Sequence, residues 1–443
     1  MCRLVIKGAG FICLMPQKLF ILIVFFVCYL LILSRKVNPI WICFGGALTL
    51  LFSNSITLGQ ALASINYNVL GVFVGTMVLS NLFAYSGVPA YLAAKLVNKC
   101  QRVSVAFLLV CGLSSFISSF TENIATVLII APLALEIAVA LKINPVPLLI
   151  GVALTSNLQG CATMIGDPPS IILAMESGMN FNDFFWMPAA KTGGQLGKPG
   201  IFFAVELGAL ASLFIIWRIF RRYESKPKEI SPVRPKTFVP TWLLMSMVIS
   251  LIVSSLLPEK SQYLLAGICL FWGLIGLIWH GLRHRESLSV LKDLDWQSFF
   301  FLVGIFILVG SLSYSGIIKD IARYISFLSG QSVLSAYILI IIISVLVSAF
   351  VDNIPFTIAM IPVAKMVAAD LGVSMYPFLF GLLIGTCLGG NITPIGSVTN
   401  LVVVGMLRKK GYQVKFGQFM GIGLPFTIVA VFVSSLFVWM VWM

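Results

Sequence analysis

The sequence predicts an all-α polytopic membrane protein made of two inverted-topology repeats, each with five spanning helices, a helical hairpin and a broken helix. Of its 443 residues, 59% are hydrophobic and 10% are charged, whereas soluble domains carry roughly 25% charged residues. Many apolar runs approach the roughly 18 residues that a bilayer-crossing helix needs. Two polar stretches, 160–170 and 390–400, interrupt such runs and align at a constant offset of 230 residues.

The first repeat is predicted to occupy residues 1–217. Its double apolar segment, 103–141, turns at Glu122 and Asn123 and is interpreted as a hairpin. Re-entry from one face of the membrane is favoured, and full crossing by both arms is the alternative. The segment 147–178 contains the first polar stretch and is interpreted as a broken helix. The remaining apolar runs are predicted spans at about 19–33, 39–53, 68–85 and 200–217.

A basic linker, 218–239, is predicted to separate the repeats, and residues 240–443 then repeat the pattern. The second hairpin, 331–369, turns at Asp352-Asn353, and the second broken helix is 377–407. Further spans are predicted at about 240–257, 262–279 and 419–442, and Val74-Gly75 recurs as Val303-Gly304 in the counterpart of the third span. Matches of Gly, Pro, Asn and acid in the same order indicate an internal duplication. Broken apolar segments at matching places in the two halves are the best sequence indicator of a transporter binding site.

The net charge of +14 lies mainly between the apolar runs, which indicates topology signalling and not nucleic-acid binding. With linker 218–239 in the cytoplasm, the basic loops place the two repeats in opposite directions across an inner membrane. The N-terminus does not fit the rule that basic residues lie in the cytoplasm, because the same count places Arg3, Lys7 and Lys18 outside. Either the chain starts later, at Met15, or the span count is wrong by one.

Each polar stretch has the features of a helix that starts inside the membrane. Asp167 followed by Pro168 is a helix-start pattern, and Ser397 is the matching cap in the second repeat. The positive end of such a helix can hold an anion, and the carbonyls before the break can coordinate Na⁺ or accept from a proton donor. A charge at the bilayer centre costs roughly 2.5–3.5 kcal/mol, so Glu122 and Asp352 are expected to have a function; the alternative is a structural cap.

The polar residues of both hairpin tips and both breaks are therefore predicted to form one solute and ion site. Na⁺ is a possible ligand at Asn123 with Gly166 and at Asn353 with Gly396. No cofactor is predicted, the coupling ion is H⁺ or Na⁺, and the nine Cys show no metal-binding spacing. The site residues are Glu122, Asn123, Asn157, Thr163, Gly166, Asp167, Asp352, Asn353, Asn391, Thr393, Gly396, Ser397 and Asn400.

These motifs resemble the ion transporter superfamily, in particular the branch of arsenite permeases, sodium/proton antiporters of the D type and the melanosomal P protein. Residues 159–170 are similar to the branch's first signature and 352–357 to its second hairpin. Gln159 replaces a Gly, and Glu122 stands where Asp is more usual. The hairpin tips of the superfamily's dicarboxylate carriers look like Ser-Asn-Thr, whereas this chain has Glu122-Asn123-Ile124 and Asp352-Asn353-Ile354, which argues against a dicarboxylate carrier. The resemblance implies a homodimer and elevator-like movement of the hairpins and broken helices.

We therefore expect a secondary transporter and not an enzyme. The first interpretation is an antiporter that exchanges an inorganic anion, an arsenite-like solute or Na⁺ against protons. The alternative is cation-coupled uptake of an anion such as sulfate, silicate, a dicarboxylate or citrate. A channel is a rival class. The expected partners are the lipid bilayer, a small inorganic ion and a second copy of the chain; a separate ATPase partner is left open, although this chain has no phosphate-binding loop.

Overall fold

The structure is a computed structural model that describes residues 17–34, 36–140, 143–194, 196–221, 223–224, 234–257, 261, 263–284, 291–292 and 294–443. The N-terminal region with Arg3, Lys7 and Met15, and most of the basic linker, lie outside these residues. The helices of the first repeat are α1 Gln17–Ser34, α2 Pro39–Phe52, α3 Leu58–Ala63, α4 Tyr67–Tyr85, α5 Val88–Asn98, α6 Val103–Ser118, α7 Asn123–Ala140, α8 Val146–Gln159, α9 Pro168–Ser177, α10 Ala189–Thr192 and α11 Ile201–Phe220.

The second repeat follows the same order. Its helices are α12 Val239–Ser254, α13 Leu264–His284, α14 Trp296–Tyr314, α15 Ile317–Leu328, α16 Val333–Ser348, α17 Asn353–Asp370, α18 Met375–Gly389, α19 Val398–Lys409 and α20 Phe416–Trp442. The described strands, β1 Trp186–Met187 and β2 Lys198–Pro199, form one antiparallel pair in the loop before α11. A single 3₁₀ turn, Phe181–Phe184, precedes them.

The helical, membrane-spanning fold class is confirmed. Among the described residues, six helices are long and apolar enough to cross a bilayer: α1, α4, α11, α13, α14 and α20. Their outward faces carry exposed apolar side chains such as Phe26, Phe271 and Phe432, as expected where lipid replaces water. The predicted hairpins are the pairs α6–α7 and α16–α17, and the predicted broken helices are α8–α9 and α18–α19.

Glycines and a capping box explain where several helices end or begin. Gly87 and Gly316 follow α4 and α14 with φ of 73° and 78°, a left-handed conformation that glycine adopts without strain. Thr57 and Gln60 form a reciprocal capping box at α3, with bonds of 3.2 and 2.9 Å. We did not predict α3, although Thr-x-x-Gln is its sequence signal. Helix α11 also continues to Phe220, beyond the predicted end at 217.

The two repeats pack reciprocally, which positions the site. Helix α2 packs against α14 while its counterpart α13 packs against α4; likewise α9 packs against α17 while α19 packs against α7. The hairpin of each repeat therefore contacts the broken helix of the other. Two repeats related by a pseudo-two-fold axis produce such reciprocal contacts.

Candidate functional site

A cavity of about 40 Å³ lies where the two hairpin tips meet the two helix breaks. The structure thus brings together the tips and breaks that the sequence predicted to meet. Unpredicted contributions come from α14, namely Ser298 and Phe301, which have no motif of their own. Seven predicted site residues line the cavity: Glu122, Asn123, Asn157, Asp167, Asp352, Asn353 and Ser397.

The hairpin tip of the first repeat is fastened to the broken helix of its own repeat. Ser118 Oγ lies 2.6 Å from Asn123 Oδ1 and 2.8 Å from the Ser156 carbonyl oxygen, and donates its single proton to one or the other. Thr163 donates to the Ser119 carbonyl. In the second repeat Thr393 donates to the Ala349 carbonyl in the same way. Both threonines therefore bind the hairpin tips and lie outside the lining of the central cavity.

Glycines make this close approach possible. A Cβ at Gly160 would lie 2.6 Å from the Asn123 amide atoms, and one at Gly166 would lie 2.7 Å from the Gly160 carbonyl oxygen. In the second repeat a Cβ at Gly396 would lie 2.6 Å from the Gly390 oxygen. Larger residues at Gly166 and Gly396 would also meet the hairpins, 2.9 Å from the Ser118 oxygen and 2.8 Å from the Ala349 oxygen, and would thus separate hairpin from break. Gly166 also lines a space of about 10 Å³ beside Glu122 and Asp167.

Buried amides join the two repeats across the centre. Asn157 Nδ2 donates to Asn391 Oδ1 and to the Cys387 carbonyl, both at 3.0 Å. Asn391 Nδ2 returns a bond of 3.0 Å to the Leu154 carbonyl. All these polar groups are buried, where a satisfied network specifies one arrangement. Asn391 therefore holds the repeats together and lies behind the cavity wall.

Asp167 occupies the predicted cap position of α9, but its side chain does not cap the helix. Asp167 Oδ2 instead accepts a 3.0 Å bond from Nδ2 of Asn353, at the hairpin tip of the other repeat. Ser397 likewise makes no side-chain cap bond and donates to Asn157 Oδ1 at 3.3 Å. The prediction of side-chain caps at Asp167 and Ser397 is therefore wrong, because both side chains turn towards the opposite repeat.

Asp352 has the alternative role predicted for it, that of a structural helix cap: its Oδ1 accepts a hydrogen bond from the Ile354 amide at 3.3 Å. Glu122 is held through its backbone, since its N–H donates to Ser80 Oγ at 3.3 Å. Both carboxyl side chains are half-buried at the cavity. Asn400 also serves the backbone: its Nδ2 donates to the Gly390 and Thr393 carbonyls at 2.9 and 3.0 Å.

The cavity is acidic. Glu122, Asp167 and Asp352 line it, and none of the other lining residues in the described part of the chain is Lys, Arg or His. Three carboxylates around so small a space repel one another strongly at low dielectric. The arrangement can therefore bind protons or cations, which lower this repulsion.

A second cavity, of about 160 Å³, lies along the same helices. Ser313, on α14, lines it, as do Ile358 on α17 and Glu176 on α9. Ile358 follows Ile354 of the central cavity by one helical turn, about 6 Å along the axis. The second cavity therefore shares α17 and α14 with the central one. The predicted site did not include these residues, because only the packing of several helices brings them together.

Reciprocal helical repeats around a buried polar centre define a membrane transporter. A family model described as "CitMHS: Citrate transporter" matches residues 29–385, and the chain belongs to this family. An uncharacterized transporter of Synechocystis sp. is 28% identical, with 95% of this chain and 96% of the relative covered. The P protein of Sus scrofa is 25% identical over 85% of this chain and 53% of its own length.

The fold also has a counterpart among solved structures. The YdaH transporter of Alcanivorax borkumensis matches with a TM-score of 0.58 at 14% identity, covering 95% of this chain and 97% of that one. At this identity the likeness concerns the fold alone. The predicted superfamily and the likeness to P protein are confirmed, whereas the narrower assignment to arsenite permeases or D-type antiporters stays a prediction.

Proposed function

We propose that this chain is a secondary active ion transporter of the inner membrane whose cavity carboxyls carry the coupling ion. The observation that supports it is the convergence of Glu122, Asp167 and Asp352 on a buried cavity of about 40 Å³ without a basic lining residue in the described chain. Membrane-embedded carboxyls of this kind bind protons or cations because an uncompensated charge is costly there.

The favoured form is an antiporter that exchanges Na⁺ or a small inorganic solute, such as arsenite, against protons. The size of the cavity supports this choice, because its volume of about 40 Å³ leaves room for only a few waters, each of which needs roughly 10–15 Å³ of such space. A dehydrated ion or a small neutral solute fits that space, whereas a tricarboxylate would require the cavity to widen.

The second candidate is cation-coupled uptake of an anion such as citrate, and the description of the family favours it. The start of α19 could hold the anion, because the first backbone N–H groups of a helix have no partner within the helix. Val398 and Thr399 are at this start and line the cavity. The carboxyls would then hold the accompanying cation.

The Asp167–Asn353 bond suggests how ion binding couples to movement. It joins the break of one repeat to the hairpin tip of the other. A hydrogen bond to an ionised carboxylate is roughly twice as strong as a neutral one. Protonation of Asp167 therefore weakens this link, whereas a bound cation would preserve it. Alternate occupancy by proton and cation would thus change how firmly the repeats are joined, as exchange requires.

The homodimer and elevator-like movement remain predictions from family resemblance, and the scheme needs neither a cofactor nor an ATPase. The test is flux into proteoliposomes with Na⁺, Li⁺, arsenite, sulfate, silicate and citrate, each with and without an imposed pH gradient. We expect a pH gradient to drive Na⁺ or arsenite, and internal acidification to accompany reverse exchange. Citrate uptake driven by a cation gradient would select the second candidate. Conductance far above carrier rates in planar bilayers would instead indicate a channel.

A further inference from the structure

A carboxyl group lies within an apolar helix and outside the lining of the central cavity. Glu206 belongs to α11, one of the six apolar spans, and lies five residues after its start, which is about 7.5 Å along the helix axis. Its Oε1 accepts a hydrogen bond from Nε2 of Gln159, the last residue of α8. Asn157, two residues earlier, lines the central cavity, so Glu206 and Gln159 form a separate polar pair.

The helices around Glu206 supply no opposite charge. Helix α11 packs against α6, α8 and α20, and the sequences of these three helices contain no Asp, Glu, Lys, Arg or His. Within α11 the nearest basic residue is Arg218, about 18 Å along the axis. Lys198, three residues before α11, donates to the Trp442 carbonyl oxygen at 3.3 Å. An ionised Glu206 would therefore have no opposite charge on the helices packed against it, which is costly in an apolar span.

Gln159 supplies the second observation. Its side chain is buried, with 3% exposure, and its Oε1 has no hydrogen-bond partner among the described residues. An unsatisfied buried acceptor costs about 1–3 kcal/mol. Rotation of the amide by half a turn exchanges its oxygen and nitrogen. The oxygen would then face Glu206 and could accept a bond from a protonated carboxyl.

We infer that Glu206 and Gln159 form a proton-binding site separate from the central cavity. The proton comes from water and is held on a Glu206 carboxyl oxygen, and the resulting O–H donates to Gln159 Oε1. The second repeat has Gly389 at the position of Gln159, so the pair is confined to the first repeat. It is next to Gly160, whose carbonyl accepts from Ser170 Oγ at 3.1 Å, so its proton occupancy can influence the break between α8 and α9.

This inference is independent of which solute is transported, so its test uses the purified protein without a gradient. Infrared difference spectroscopy distinguishes the C=O band of a protonated carboxyl from the bands of a carboxylate. At neutral pH we expect Glu206→Gln to lose one protonated-carboxyl band. Glu206→Leu should lose the same band. Glu136→Gln is the control, because Glu136 is on the exposed face of α7 and should leave that band unchanged.

Gln159→Leu tests the partner: the Glu206 band should stay but shift to higher frequency, because its hydrogen bond is lost. An unshifted band would overturn the role of Gln159. Loss of a carboxylate band in Glu206→Gln would show an ionised Glu206 and overturn the proposal. A rise of the melting temperature with Na⁺ at fixed pH, seen in the wild type and absent in Glu206→Gln, would also overturn it, since the site would then hold a cation.

Discussion

The two helix breaks occupy equivalent positions in the repeats, yet they present different chemistry to the cavity. The first break ends in Asp167, Pro168 and Pro169, and the second in Ser397, Val398 and Thr399. Proline has no backbone N–H, so the first two positions of α9 cannot donate a hydrogen bond. The same positions of α19 retain their N–H groups.

This difference divides the cavity into two sides. The first break contributes a carboxylate and few donors, which suits a proton or a cation. The second contributes backbone N–H groups without a carboxylate, which suits an anion or a neutral oxygen. A duplicated framework can thus bind a charged pair or exchange unlike ions, because one copy has changed its charge while both keep their backbone geometry. The predictions below test this division.

We expect the largest effect from Asp167→Asn. The amide keeps the shape of the side chain but removes its charge and its proton site, so the charge-assisted bond to Asn353, worth about 1.5–3 kcal/mol, is lost. Gradient-driven exchange in proteoliposomes should fall at least about tenfold. Ser397→Ala, the matched change at the other break, should have a smaller effect. Equal losses in both variants would contradict the division into two sides.

Substitutions at the two hairpin tips should differ less in their effects on exchange than substitutions at the two breaks. Glu122→Gln is expected to abolish the dependence of exchange on the pH gradient, because it removes a cavity carboxyl. Asp352→Asn should retain more activity, since an amide oxygen can still cap the Ile354 amide. Initial rates across a series of imposed pH gradients measure both effects. If both variants keep full gradient-driven exchange, the carboxyls at the tips do not carry the coupling ion.

Val398→Pro makes the second break resemble the first. Proline is tolerated at the first position of a helix, so α19 should still form while one cavity N–H is lost. If an anion binds there, KM for that anion should rise about tenfold, the equivalent of about 1.4 kcal/mol. The apparent affinity for the coupling cation should stay the same. If Val398→Pro keeps the wild-type KM for every anion that the protein transports, the anion binds elsewhere.

The smallest effect is expected from Asn400→Ser, which copies Ser170 of the first repeat. Asn400 makes two bonds to backbone carbonyls of the break, whereas Ser170 makes one of 3.1 Å to Gly160. The loss of one bond should cost about 1 kcal/mol and lower the melting temperature by a few degrees. Ser170→Ala is the control. An unchanged melting temperature in Asn400→Ser would show that the second bond adds nothing.

The sequence by itself determined the class of fold, because apolar length fixes spanning helices and the offset of 230 residues reveals the repeat. It also placed Glu122, Asp167, Asp352 and their asparagines at tips and breaks that meet. These properties follow from local chemistry: a polar residue inside an apolar run is costly unless it has a partner.

Only the tertiary structure decided which partner each residue has. Asp167 has a helix-start pattern, but contact with the other repeat directs its side chain to Asn353. Thr163 resembles a ligand, yet it fastens a hairpin tip. Ser298 lines the cavity without any motif, because the packing of α14 brings it there. Such contacts join residues far apart in the chain, and no local pattern specifies them.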